Sequence, residues 1–322
     1  MRLLKTRSDD LEFAEFVGEE IPFYAILSHT WGDDEVSLQD GQKSRRGGTK
    51  RLSRRASSPR HTAFEYVWID TCCIDKTSSA ELSEAINSMH SWYQDAGVCY
   101  VYLADVHVES SPPSVPPSLY QSLARSRWFA HGWLCQSLAK SRWFTRGWTL
   151  QELIAPKVVL FFNSRWHENG TKLSLQSAIS DITGIPERIL IGGYVEGASV
   201  AQRMSWASRK TTRPEDMAYC LMGLFGINMP LLYGEGERAF TRLQEEIMRF
   251  SNDHSLFAWG MLDDYTGPVS PMRRSDYPFK SRLSLLARSL AWFSRSGGIV
   301  PTRESTTKFL VGRSHSTTGE LT

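Results

Sequence analysis

The sequence predicts an α/β fold: a parallel sheet core followed by additional C-terminal helices. Three observations carry that expectation. Short apolar runs at Tyr24–Ser28, Tyr66–Asp70 and Val98–Leu103 each end in polar residues, as buried strands do. A helical pattern lies between the second and third runs, which makes a βαβ unit and so a parallel pair with a right-handed crossover. Beyond residue 173 the periodicity is helical.

Taken in order, Tyr24-Ala25-Ile26-Leu27-Ser28 leads into the polar loop His29-Thr30-Trp31-Gly32-Asp33-Asp34. Residues 41–62 are low-complexity and basic. Ser78 and Glu81 have capping-box spacing and open a helix whose Leu82, Ile86, Met89 and Tyr93 share one face. Gly97 stops it. Residues 110–118 form a Pro-rich loop, and a tandem repeat follows. Gln121–Cys135 (QSLARSRWFAHGWLC) and Gln136–Leu150 (QSLAKSRWFTRGWTL) agree at ten of fifteen positions. Fifteen residues is too short for a solenoid unit, so this is a local duplication. Only the second copy continues into Gln151-Glu152-Leu153. Val158–Phe162 is a further strand. Leu173–Ile182, a start at Pro214-Glu215-Asp216 closed by Gly226, and a stripe of Phe240, Leu243, Ile247 and Phe250 are helical. The domain plan is a lead-in at 1–21, one domain over 22–260 that carries the insert and the duplication at 121–150, and a poorly ordered tail at 261–322.

Hydrophobic residues make up 41% and charged residues 22% of the 322, the balance of a globular protein that folds in water. No run reaches the roughly 18 apolar residues of a membrane helix, and the N-terminus has no secretory pattern. Five cysteines, an odd number without C-x-x-C spacing, fit a reducing, cytoplasmic setting. Adjacent Cys72 and Cys73 are read as one buried and one half-buried thiol rather than a metal pair. Eight Lys/Arg and no acid fall within 41–64, against a net charge of +2 for the whole chain, so the remainder is acidic. The insert reads as a solvated loop, and nucleic acid is not an expected partner. No Walker, zinc or H-E-x-x-H motif is present, and Gly234-Glu235-Gly236-Glu237 lacks the Lys-Ser/Thr of a phosphate loop.

Four blocks resemble fungal heterokaryon-incompatibility (HET) domains: Tyr24–Gly32; Trp68–Lys76 running on through Leu82–Tyr93; Ser141–Leu153; and Arg203–Ala207 with Glu215–Tyr219 and Leu231–Gly236. Together they cover roughly residues 22–260. Departures from the usual pattern are the basic insert, standing where the family carries a helix, and the 15-residue repeat. The resemblance implies an effector of non-self recognition linked to programmed cell death. It implies partners too: self-association, and an unidentified incompatibility or receptor protein. The family in turn is similar to Toll/interleukin-1 receptor (TIR) domains, which implies a flavodoxin-like parallel sheet. Many TIR domains cleave NAD at the nicotinamide–ribose bond with a Glu in a W-C-x-x-E-L pattern. Trp148-Thr149-Leu150-Gln151-Glu152-Leu153 is similar, with Thr for Cys, and would put the catalytic role on Glu152. NAD is then a substrate, and no cofactor or metal is expected. A non-catalytic adaptor acting by self-association is the alternative.

Ligands of open α/β sheets bind outside the carboxyl ends of the strands. That rule gathers Ser28, His29, Trp31, Asp33, Asp70 and Asp105, with Trp148 beside Glu152. Each has two readings. Glu152 either stabilises oxocarbenium-like charge on a ribose or pairs with Arg146 or Lys157 on a helix face. His29 is a proton shuttle or a turn residue. Asp33, Asp34 and Glu35 hold ribose hydroxyls or a metal, or form a solvated acidic loop. Asp70 binds a ligand or caps the next turn.

Overall fold

The computed structural model describes residues 1–6, 12–32, 35, 37–39, 64–107, 127–259 and 285–300. The insert at 41–62, the Pro-rich loop, Asp33, Asp34 and the start of the first repeat copy lie outside them.

The four apolar runs are four parallel strands, β3 (Tyr24–His29), β4 (Tyr66–Ile69), β5 (Val98–Tyr102) and β6 (Val159–Phe162). Every residue of β3 and β5 is buried, as expected of strands covered on both faces. The sheet is mixed rather than wholly parallel. β1 (Arg2–Lys5) pairs antiparallel with β2 (Phe13–Glu15) and with β4, and β7 (Glu168–Thr171) pairs antiparallel with β6. The order is β2-β1-β4-β3-β5-β6-β7. These edge strands have only three or four residues, too few to show a period in the sequence. β1, within the lead-in, is nevertheless anchored by fully buried Leu3 and Leu4.

α1 (Ser79–Asp95) makes the crossover from β4 to β5 and buries Ala85, Ile86, Met89 and Tyr93. Ser78 caps it by accepting from the Glu81 amide, but the capping box stays open. The Glu81 carboxylate accepts instead from the Asp75 amide at 2.7 Å and pairs with Arg2 at 2.8 Å, tying the helix start to β1. Gly97 follows because a Cβ there would lie 2.4 Å from the Phe23 ring and 2.6 Å from that of Phe64.

The repeat copies fold differently. α2 (Arg127–Lys140) runs out of the first copy into the second. The second copy's Arg142–Thr145 is a 3-10 turn because Asp105 accepts from the Ser141 hydroxyl and the Arg142 amide, both at 2.8 Å. α3 (Thr149–Ile154) completes that copy.

Short helices α4 (Gln176–Thr183), α5 (Glu187–Leu190), α6 (Val200–Trp206), α7 (Asp216–Tyr219) and α8 (Met222–Phe225), then α9 (Arg238–Phe250), make up the remainder. α4 starts later than Leu173, since Thr171 and Ser174 close a turn on each other's amides and leave Leu173 exposed. Phe250 leaves the buried stripe of α9 and is 80% exposed, because the helix ends there. Residues 285–300 dock on α9, where the Gln244 amide exchanges two hydrogen bonds with the Ala287 backbone and Leu290 and Phe293 are buried. Among the described residues no helix is long and apolar enough to cross a membrane.

Candidate functional site

β3 and β5 are neighbours, and the connection leaving β3 goes to β4 on one side while that leaving β5 goes to β6 on the other, so a crevice opens at their carboxyl ends. A cavity of about 520 Å³ occupies it. His29 ends β3, Asp70 follows β4, and Ile74, Leu82, Ile86 and Met89 form an apolar wall running onto α1. Glu152 enters from α3, and Trp31 and Trp148 border the opening.

Glu152 is 8% exposed. It pairs with neither Arg146 nor Lys157. The Ser28 hydroxyl donates to its carboxylate, and the Trp143 indole N–H donates to Ser28 Oγ at 2.7 Å. Ser28 and Trp143 are almost fully buried, so this chain supports the carboxyl from beneath. Burial pushes Glu152 up to about 7, the charge of Asp70 adds to this, and the Ser28 hydrogen bond with the charges of His29 and Arg146 works against it. Thr149, standing where the TIR pattern has Cys, donates to the backbone oxygens of Trp143 (2.6 Å) and Arg146 (2.8 Å) and fixes the start of α3. At the other end, the buried Lys172 ammonium donates to the carbonyls of Leu153 (3.1 Å) and Pro156 (2.5 Å).

His29 Nε2 meets the Glu35 carboxylate at 3.0 Å, whereas its buried Nδ1 has no hydrogen-bond partner among the described residues. Burial lowers its pKa. The hydrogen bond to Glu35, with the charges of Asp70, Glu35 and Glu152, outweighs that and leaves it raised. Asp70 accepts from the Trp31 indole at 2.7 Å, and the Lys76 ammonium lies 3.6 Å from the centre of the Trp31 ring.

The far wall comes from later in the chain: Lys210, Thr211, Thr212, Arg213, Asp216 and Tyr233. It is held by a parallel bridge between Arg146 and Lys210, in which the Gly147 amide donates to Lys210 O at 2.9 Å and the Lys210 amide to Thr145 O at 2.8 Å. Sequence reasoning did not assign these residues, Lys76 or Arg146 to the site, although Lys76, Arg146, Asp216 and Tyr233 fall within the blocks that resemble HET domains. For the rest the available signal was the run Lys210-Thr211-Thr212-Arg213 immediately before Pro214.

Of the residues singled out from sequence, Glu152, His29, Trp31, Asp70 and Trp148 line one cavity, and Ser28 lies just beneath it. Asp33 lies outside the described residues. Asp105 is not part of the lining, its carboxylate being taken up by Ser141 and Arg142. Cys72 and Cys73 are both buried, not one of each kind, because the chain turns back after β4 with both amides donating to Ile69 O. The Gly234 and Gly236 amides hold the Glu215 carboxylate at 2.8 and 3.0 Å, an internal occupant for what resembled a phosphate loop.

Residues 24–152 match the family model described as heterokaryon incompatibility protein (HET), and residues 238–319 match a domain of unknown function, DUF8212. The chain is 46% identical over 235 residues to vegetative incompatibility protein HET-E-1 of Podospora anserina, an alignment that takes in 71% of this chain and 16% of that protein. No solved structure matches the chain significantly. The similarity to heterokaryon-incompatibility (HET) proteins thus takes in residues 24–152 as a family match, which ends at the buried Glu152 of the cavity, and this chain spans about 16% of the length of the relative it matches.

Proposed function

We propose that this chain acts in heterokaryon incompatibility, as a non-self-recognition effector linked to cell death, and that its HET domain does so by TIR-like cleavage of NAD(P). The observation that carries the chemistry is the buried Glu152 carboxyl, poised near neutral pH at the carboxyl ends of parallel strands and facing a cavity large enough for a nucleotide. The order of the parallel strands, second-first-third-fourth, is that of flavodoxin-like sheets and supports the TIR-like reading.

In this mechanism the ribose C1′ lies over Glu152. The bond from C1′ to the nicotinamide nitrogen breaks, and its electron pair leaves with the pyridine as a neutral base, so no acid is needed. The ionised Glu152 carboxylate stabilises the oxocarbenium-like charge left on the sugar. A water then bonds to C1′ and gives up its proton to Glu152 or to solvent. Ser28 stabilises the ionised form, Asp70 offers an acceptor for sugar hydroxyls, and the apolar wall on α1 excludes water. The module works in the cytoplasm by self-association with copies of itself or with a separate incompatibility or receptor protein.

The test is NAD consumption by purified, concentrated protein, with Glu152→Ala alongside. Loss of NAD that vanishes in the variant supports the enzyme. A second reading, a non-catalytic adaptor, draws on the hydrogen bond that already satisfies Glu152. Folded, assembled protein that leaves NAD intact favours it.

A further inference from the structure

The cavity carries a feature that the cleavage chemistry does not use. Arg146, Lys210 and Arg213 stand together on one wall, and none forms an ion pair with a described residue. Two of them are fixed side by side by the Arg146–Lys210 backbone bridge. The third is placed by its own stacking, with its guanidinium 4.7 Å from the Tyr233 ring centre. The Thr211 hydroxyl donates to Arg213 O at 2.9 Å and bends the chain between Lys210 and Arg213 into a turn. Three unpaired cations at the mouth of a cavity whose floor is a carboxyl and whose side wall is apolar describe a bipolar ligand. One end is anionic and the other is sugar-like or apolar.

We propose that Arg146, Lys210 and Arg213 form a clamp for the pyrophosphate of a dinucleotide whose ribose sits over Glu152. The proposal rests on the NAD-cleaving reading for its ligand. To Arg146, within the stretch that matches the HET family model, it adds Lys210 and Arg213 from beyond residue 152 and outside that stretch. The Arg146 and Arg213 guanidinium groups supply paired N–H donors to phosphate oxygens, and Lys210 supplies a point charge between them. Residues 210–213 therefore belong to the working site, and a fragment ending at Glu152 holds the acid and Arg146 but lacks the other two cations of the clamp.

The experiment measures binding by titration calorimetry on the full chain in a Glu152→Gln background, which removes turnover. The probes are NAD, ADP-ribose and nicotinamide riboside, the last of which has no phosphate. Lys210→Ala with Arg213→Ala weakens NAD and ADP-ribose by about ten-fold or more and leaves nicotinamide riboside unchanged. Arg213→Lys keeps the charge but loses the paired donors and the stacking on Tyr233, so its affinity falls between those of the parent and the double variant. The dependence of NAD affinity on salt becomes shallower in the double variant. Lys210 and Arg213 are exposed, so the variants keep the wild-type melting temperature. Equal weakening of all three probes, no weakening of any, or no ADP-ribose binding by the parent overturns the clamp. ADP-ribose binding that depends on the clamp, in a protein that never consumes NAD, upholds the clamp and removes the enzyme reading.

Discussion

The Ser28 hydroxyl at the end of β3 donates to the carboxylate of Glu152, 124 residues away on α3, and so joins the centre of the sheet to the acid of the cavity. Trp143, from the second repeat copy, donates to the same hydroxyl. The ionised acid therefore depends on a hydroxyl that the sheet core holds still.

Removing that hydroxyl raises Glu152 further, since the hydrogen bond opposes the effect of burial. In Ser28→Ala the alkaline rise of NAD cleavage moves upward from a midpoint near 7 by about one pH unit. The variant also loses about 1–3 kcal/mol of stability, because the buried Trp143 N–H is left without an acceptor. NMR titration of carbon-13-labelled glutamate reads the same midpoint without relying on activity. A midpoint that stays in place would show that Ser28 does not tune Glu152.

Glu152 should also cost the fold stability as pH rises. Its folded pKa, about 7, lies above the ordinary 4.5, so between those values the folded state holds a proton that the unfolded state has lost. The stabilisation is complete below about pH 4.5 and disappears as pH rises through 7, a change on the order of 3 kcal/mol. His29, also raised, loses stability in the same direction, so the wild type alone cannot separate the two. The comparison is denaturant unfolding of wild type and Glu152→Gln at pH 5 and pH 8. Wild type falls more between the two, and parallel changes would rule out Glu152 as the source.

The four parallel strands and the crossover helix were legible because long apolar runs and a 3.6-residue period survive any context. The edge strands were not, since Arg2–Lys5 and Glu168–Thr171 are too short for a pattern. Half of the cavity was legible: His29 and Asp70 stand at the ends of recognisable strands, and Glu152 was reached through the similarity of Trp148–Leu153 to the TIR pattern. Lys210, Arg213 and Tyr233 were hidden because they sit in turns brought in by pairing across distant sequence. The duplicated Ser-Arg-Trp-Phe makes the point most directly. Ser141-Arg142-Trp143-Phe144 opens a 3-10 turn while Arg127, Trp128 and Phe129 of the other copy are helical, and Asp105 accounts for the difference.

Glu35 is the partner that keeps His29 raised against burial. Glu35→Gln removes the negative charge at 3.0 Å, so the His29 pKa falls, and a smaller fraction is protonated at pH 7. Proton NMR titration of the imidazole checks this. A pKa that stays raised would assign the effect to Asp70 and Glu152 instead, and Asp70→Asn would then lower it.

Gly147 is where the two walls of the cavity meet. A Cβ there would lie 2.6 Å from Thr211 Cγ2, 3.2 Å from Cys220 Sγ and 3.7 Å from Lys210 O. Any side chain must therefore push residues 210–211 away from 146–147 and stretch the Gly147–Lys210 hydrogen bond of 2.9 Å. Gly147→Ala should cost about 1–3 kcal/mol by overpacking, read as a lower melting temperature. It should also weaken ADP-ribose binding, because Arg146 and Lys210 lose their register. Adding Thr211→Ser removes the closest methyl and keeps the hydroxyl that bonds to Arg213 O, so the double variant recovers part of both losses. The Cys220 contact remains and limits that recovery. A single variant as stable as wild type, or a second change that recovers nothing, would mean that the Thr211 contact does not set the spacing of the two walls.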